Sequence, residues 1–273
     1  MSIQRPPKRD DAIDKVRTIY WFQYLGMRIG SFRPRAVQRA VAPIPATDAL
    51  GGVIKNNKFL GYSRGDHVPN TSLVQRVATI YPDSAYILNH VIWEVLRGND
   101  SIEKHVRRWI GQLDPDIQKA VIKSGNQLAE NSHTLEMLER RFSLDSLAAL
   151  TILFRLNRED ERSNNDARTP HAIRAWGYAC GIFRVLMMME PQFLTEDLKN
   201  GIFKLFVQRV FSLTTSFWGV RMNLEEYDYP KAALLLRDHV TKLRIYIRSP
   251  MNREVRSRVN ELIMIPFVPV NSS

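Results

Sequence analysis

The chain has 273 residues and a mass of 31.6 kDa, with 44% hydrophobic and 25% charged residues, enough to bury a sizeable core in one or two domains. A net charge of +11 and a pI of about 9.9 point to a polyanionic partner or an acidic membrane surface. The single cysteine, Cys180, excludes an internal disulfide framework and a multi-cysteine zinc site, fits a reducing compartment, and reads as a packed thiol because it lies in an apolar run.

The charge is unevenly spread. Residues 1–76 carry thirteen Lys and Arg against five Asp, so they hold +8 of the +11, and the rest of the chain is nearly balanced. A polyanion should therefore meet the first third. No apolar run reaches the ~18–20 residues of a bilayer span. The start, MSIQRPPKRDD, has charge but no hydrophobic stretch, so a cytoplasmic protein without a membrane partner is expected.

The first predicted helix runs over residues 11–29, where Ile13, Val16, Tyr20, Tyr24 and Met27 recur at helical spacing. Asp10, Asp11 and Asp14 suit its positive end, and Gly30 and Ser31 end it. Pro34 starts a second helix that carries Val37 and Val41 until Pro43 and Pro45 stop it. Residues 44–57 read as irregular. A short helix over 58–64 is closed by Gly65 in the left-handed position. Another spans Pro69 to Tyr81, with Leu73, Val77 and Ile80 on one face and Pro82 as terminator; Ser84 then caps a helix that ends at Gly98.

Beyond a boundary at Gly98, Asn99 and Asp100 the pattern stays helical, over 101–112, 114–125, 132–141, 144–157, 170–189, 194–215, 230–248 and 252–264. The polar tract Asn157 to Arg168 reads as a solvated loop. Two segments, 173–189 and 202–211, are apolar almost all round and should form the centre of a bundle. Strand alternation is nearly absent, and neither an internal repeat nor a low-complexity segment is expected. The expected fold is all-α, with a basic helix-turn-helix-like domain over 1–98 and a larger helical bundle over 99–273.

Tyr62-Ser63-Arg64-Gly65 followed by Pro69, Leu73, Val77 and Ile80, with Pro34 to Ala42 ahead of them, resembles the DNA-binding domain of the XRE or lambda-repressor-like helix-turn-helix family. In that family the third of five helices enters the major groove and a Pro-started fourth helix follows an aromatic-x-x-Gly ending. Two departures stand beside the resemblance. Phe32-Arg33-Pro34-Arg35 replaces the family's Thr/Ser-Gln start of the second helix, and residues 43–57 form an insertion before the third.

The resemblance implies a duplex-DNA-binding regulator of bacterial or phage origin, in a mobile or defence element. Its recognition element would begin at Lys55, Asn56, Asn57 and Lys58, residue types suited to reading adenine, reading guanine or gripping phosphate. Ser63, Arg64 and His67 would lie near the DNA backbone, and Arg33, Arg35 and Arg39 would add positioning phosphate contacts. The bland alternative for residues 55–58 is a solvated turn.

Tyr20, Trp21, Phe22 and Tyr24 read as packing rather than as a base-stacking platform, and Trp93 and Trp109 likewise. His67, His90, His105, His133, His171 and His239 are scattered, without the spacing of a metal site. Glu196, Asp197 and Lys199 sit at a helix start, where acids serve the dipole, and Arg244, Arg248, Arg253, Arg256 and Arg258 read as a solvated face. No catalytic motif or cofactor loop is found, so neither an enzyme nor a cofactor is expected. The region after residue 98 would provide a homodimer contact, a protein partner's docking site or sensing. The rival reading is a helical scaffold whose basic face docks an acidic protein.

Overall fold

The computed structural model describes residues 11–41, 57–98, 102–122, 128, 132–164, 170–189 and 192–210. It is all-α: among the described residues there is no strand, only an isolated antiparallel bridge between Ile122 and Leu128. The predicted helices over 230–248 and 252–264, the basic residues 244–258 and the irregular stretch 44–56 lie outside the described residues. The chain divides into two compact units, Met1–Arg97 with Pro191–Leu205, and Gly98–Glu190 with Phe206–Ser273. The sequence assigned 191–205 to the second part, whereas its packing places it in the first.

The first unit is organised around α1 (Asp11–Ile29), whose two acidic residues in the first turn complement the helix dipole. Ile13, Val16, Ile19, Trp21, Phe22 and Leu25 are all buried, so α1 is covered on more than one side. Its buried Asp14 pairs with Arg17 at 2.8 Å and with Arg97 of α6 (Val91–Arg97), which balances a charge that would otherwise be costly to bury. Burial in turn lowers the Arg17 pKa. Buried Gln23 satisfies both ends of its amide on the later segment: Leu194 N–H donates to it at 3.1 Å, and it donates to the Thr195 hydroxyl. The Tyr20 ring meets Phe193 edge-on at a centroid distance of 5.8 Å. A Cβ on Gly201 of α12 (Glu196–Arg209) would come within 2.9 Å of Val16, so this glycine permits close approach to α1.

Around α1 stand α2 (Pro34–Val41), α3 (Lys58–Arg64), α4 (Thr71–Ile80) and α5 (Asp83–Leu88), which share one core. Trp21, Leu25, Val37, Phe59, Tyr62, Val74 and Val77 meet there. The predicted bounds of α1, α2 and α3 agree with the structure. Three details differ. Asn70, not Pro69, precedes α4, and its side chain accepts from Leu73 N–H at 2.8 Å as the N-cap. Ser84 is buried within α5 rather than capping it. The single helix expected over 84–98 breaks at Asn89 and His90, where His90 Nδ1 accepts from Ile92 N–H at 3.1 Å and Trp93 Nε1–H donates to the Ile87 carbonyl at 2.9 Å. These side-chain bonds replace the helical pattern across the break.

The ends of α1 and α3 are built alike. Gly30 and Gly65 both hold left-handed backbone, with φ of 74° and 72°. In the first turn Gly30 N–H donates to Met27 and Ser31 N–H to Gly26; in the second Gly65 N–H donates to Tyr62 and Asp66 N–H to Gly61. Both are the Schellman pattern that satisfies the last carbonyls of a helix. In both, an aromatic ring two residues after the turn glycine lies over the glycine four residues before it, Phe32 over Gly26 and His67 over Gly61. The residues correspond in order: Tyr24-Leu25-Gly26, Gly30, Phe32 and Pro34 match Phe59-Leu60-Gly61, Gly65, His67 and Pro69, and Val37-Gln38-Arg39 then matches Val74-Gln75-Arg76. The expectation of no internal repeat is therefore corrected: α1–α2 and α3–α4 are two copies of one helix–glycine turn–helix element. Two extra residues before the second Val-Gln-Arg interrupt the register, which obscures a fixed period.

The second unit holds a 3₁₀ turn (Ile102–Lys104), α7 (Val106–Ile110), α8 (Pro115–Val121), α9 (Ser132–Arg141), α10 (Leu144–Asn164) and α11 (Pro170–Met189). α10 and α11 pack along each other as its centre, with α9 against both. A Cβ on Gly181 would lie 2.8 Å from Leu135, which lets α9 approach α11 closely. The solvated loop expected from Asn157 is corrected: α10 continues through Asn164, and Asn157 and Arg158 are buried. Burial of Asn157 is tolerated because its amide is bonded, and neighbouring polar groups of α10 are bonded as well. Asn157 accepts from Arg174 at 3.1 Å, Glu159 accepts from Ile102 N–H at 2.9 Å, and Arg155 donates to the Gly98 carbonyl. Residues 165–168 of the same tract lie outside the described residues.

Candidate nucleic-acid interface

Most exposed cations among the described residues of the first unit lie on α2, α3, α4 and at the end of α1, with Lys15 on α1 and Lys204 on α12 apart from them. Arg28, Arg33, Arg35, Arg39, Lys58, Arg64 and Arg76 are all exposed, and Asp66 is the only acid among the described residues of 28–82. Among the described residues of this unit, Arg17 and Arg97 pair with Asp14, and Lys199 pairs with Glu196.

On α2, Val37 and Val41 face the core, so Arg35 and Arg39, one turn apart, form the outward edge. Arg39 Nε–H donates weakly to the Arg35 carbonyl at 3.4 Å, which leaves the rest of its guanidinium outward. Arg33 is exposed in the turn before α2, where its carbonyl accepts the first helical N–H groups, from Ala36 and Val37. Pro34 follows as the first helical residue, where its missing N–H costs nothing.

On α3, Phe59, Gly61 and Tyr62 face inward. Burial raises the Tyr62 phenol's pKa. The outward edge is Leu60 and Arg64, with Lys58 exposed at the start. Asn57 precedes α3 without a side-chain capping bond, so its amide is not used to start the helix. Ser63 donates to the Leu60 carbonyl at 2.8 Å, and the His67 imidazole packs on Gly61. Lys55 and Asn56 lie outside the described residues. The structure thus brings α2 and α3, with Arg33, Arg35, Arg39, Lys58 and Arg64, around one core. Sequence reasoning missed Arg76 on α4; the repeated Val-Gln-Arg was the signal for it.

Tyr20, Trp21, Phe22, Trp93 and Trp109 are buried, as packing requires, and Tyr24 donates from its hydroxyl to Asp83 at 3.3 Å. His90 is buried and His105 stacks on Trp109 at 5.2 Å. Among the described residues no group of three or more His, Cys, Asp or Glu is placed to hold a metal ion, and no helix is long and apolar enough to cross a membrane. Lys199 pairs with Glu196 at 3.1 Å in the first turn of α12.

No protein-family model, curated protein or solved structure matches this chain.

Proposed function

We propose that this protein binds duplex DNA through its first unit, with the second unit serving dimerisation, partner docking or sensing. The observation that carries the reading is the exposed, acid-poor cationic surface of α2, α3 and α4, helices that contain no Asp or Glu. Their apolar faces are consumed by a shared core, so the charge is presented outward by packing. Guanidinium groups on such a surface suit phosphate oxygens, which they bind in fork-like pairs. A regulator fits this reading and the resemblance of 58–82 to helix-turn-helix domains.

The test is binding of random-sequence duplex DNA over a salt series. A binder loses affinity with a log–log slope of roughly −0.9 per phosphate contact. Absence of binding at low salt would overturn the proposal and favour the rival scaffold that docks an acidic protein.

A further inference from the structure

We infer that the DNA-facing elements are the two second helices of the repeated element, α2 and α4, acting as equivalent contacts, with α3 as their support. The inference rests on the DNA-binding reading above and assigns its contacts. Val37 and Val74 occupy equivalent places, both buried in the same core. Arg39 and Arg76 each follow that valine by two residues, about 200° around a helix, and both are exposed. α2 and α4 also touch one another, so the two arginines stand on neighbouring elements.

By contrast α3 turns Phe59, Gly61 and Tyr62 inward, and its Gly61 surface is covered by His67. A helix of seven residues so engaged has little left to insert in a groove: Leu60 and Arg64 form its outward edge, with Lys58 exposed at its first position. The arrangement also changes the meaning of residues 42–56. They join two complete helix–turn–helix elements instead of interrupting one, since each tight turn lies within an element, at Gly30 and at Gly65. Beside each arginine stands a glutamine, Gln38 or Gln75, whose amide fork suits an adenine edge.

The experiment measures binding of full-length protein to random duplex DNA over a salt series, for wild type, Arg39→Ala, Arg76→Ala, the double variant and Lys58→Ala. Each single arginine variant should lose about tenfold in affinity, the size of one charge-assisted contact, and lower the salt slope by about one. The double variant should lower it by about two. Both side chains are exposed, so unchanged melting temperatures confirm that folding is intact. Equal slopes for wild type and both arginine variants, or a loss at Lys58 larger than at either arginine, would overturn this assignment while the DNA-binding reading stands. A wild-type protein that binds no duplex at low salt overturns both.

Discussion

The two copies of the helix–turn–helix element end in the same turn but bury different faces of the helix before it. Leu25 is fully buried in α1, while its counterpart Leu60 in α3 is 36% exposed. Two residues on, the order reverses: Met27 is 44% exposed and Tyr62 only 5%. The turn is a local object, made by a left-handed glycine and two backbone hydrogen bonds, and so it survives in both settings. The buried face is chosen by what surrounds the helix. α1 is covered by α2, α3, α5, α6 and the segment 192–205, whereas α3 packs mainly against α1 and α2 and leaves Lys58, Leu60 and Arg64 exposed.

The sharpest way to break this comparison is to truncate the paired leucines. Leu25→Ala should cost about 2–5 kcal/mol because it empties a closed site, and Leu60→Ala less than about 1 kcal/mol, measured by urea denaturation. Equal losses would mean that the two helices are buried alike. The turn glycines come next. Alanine at either position meets the left-handed backbone penalty of about 1 kcal/mol. At Gly65 the new Cβ would also lie 2.7 Å from the Lys15 carbonyl oxygen, but at Gly30 it meets nothing within 4 Å. Gly65→Ala should therefore cost about 2–4 kcal/mol and Gly30→Ala about 1 kcal/mol.

A pH measurement sharpens the depth assigned to α1. Burial pushes the Tyr20 phenol up to about 12, whereas in the unfolded chain it ionises near its ordinary value of about 10. Its contribution is complete below pH about 10 and is lost as pH rises through about 12, because only the unfolded chain releases the proton in between. Tyr20→Phe should remove on the order of 2–3 kcal/mol of that alkaline loss, seen by comparing denaturation midpoints at neutral and alkaline pH. An unchanged pH profile would argue against a deeply buried Tyr20. A comparably small effect is expected at the start of the second helix of the second copy, between Pro69 and Val74. Asn70 caps α4 with its side chain, so Asn70→Ala should cost about 1 kcal/mol.

Much of the first unit was legible residue by residue. Periodic apolar positions bounded α1, Pro34 opened α2, and Gly65 closed α3, because each signal acts on its own backbone. The break at Asn89 and His90 was hidden, since it depends on Trp93 and His90 side chains that reach back to the main chain. The cationic surface was half legible. Charge counting located it in the first third, but Arg76 and the inward commitment of α3 became visible only when the shared core was known.

The sequence by itself determined an all-α chain, the ends of its first helices and the sign of its first unit's surface. These follow from periodicity, from glycine's access to positive φ and from the count of ionisable groups, none of which needs a distant partner. Tertiary structure alone decided that Pro191–Leu205 belongs with α1 and that Asn157 and Arg158 are buried parts of a helix. It also decided which side of α3 meets the core. Such outcomes depend on partners far along the chain: Gln23 with Thr195, Asn157 with Arg174, Tyr62 with Trp21. Burying a polar group is costly unless a partner is supplied, and local sequence does not say where that will be.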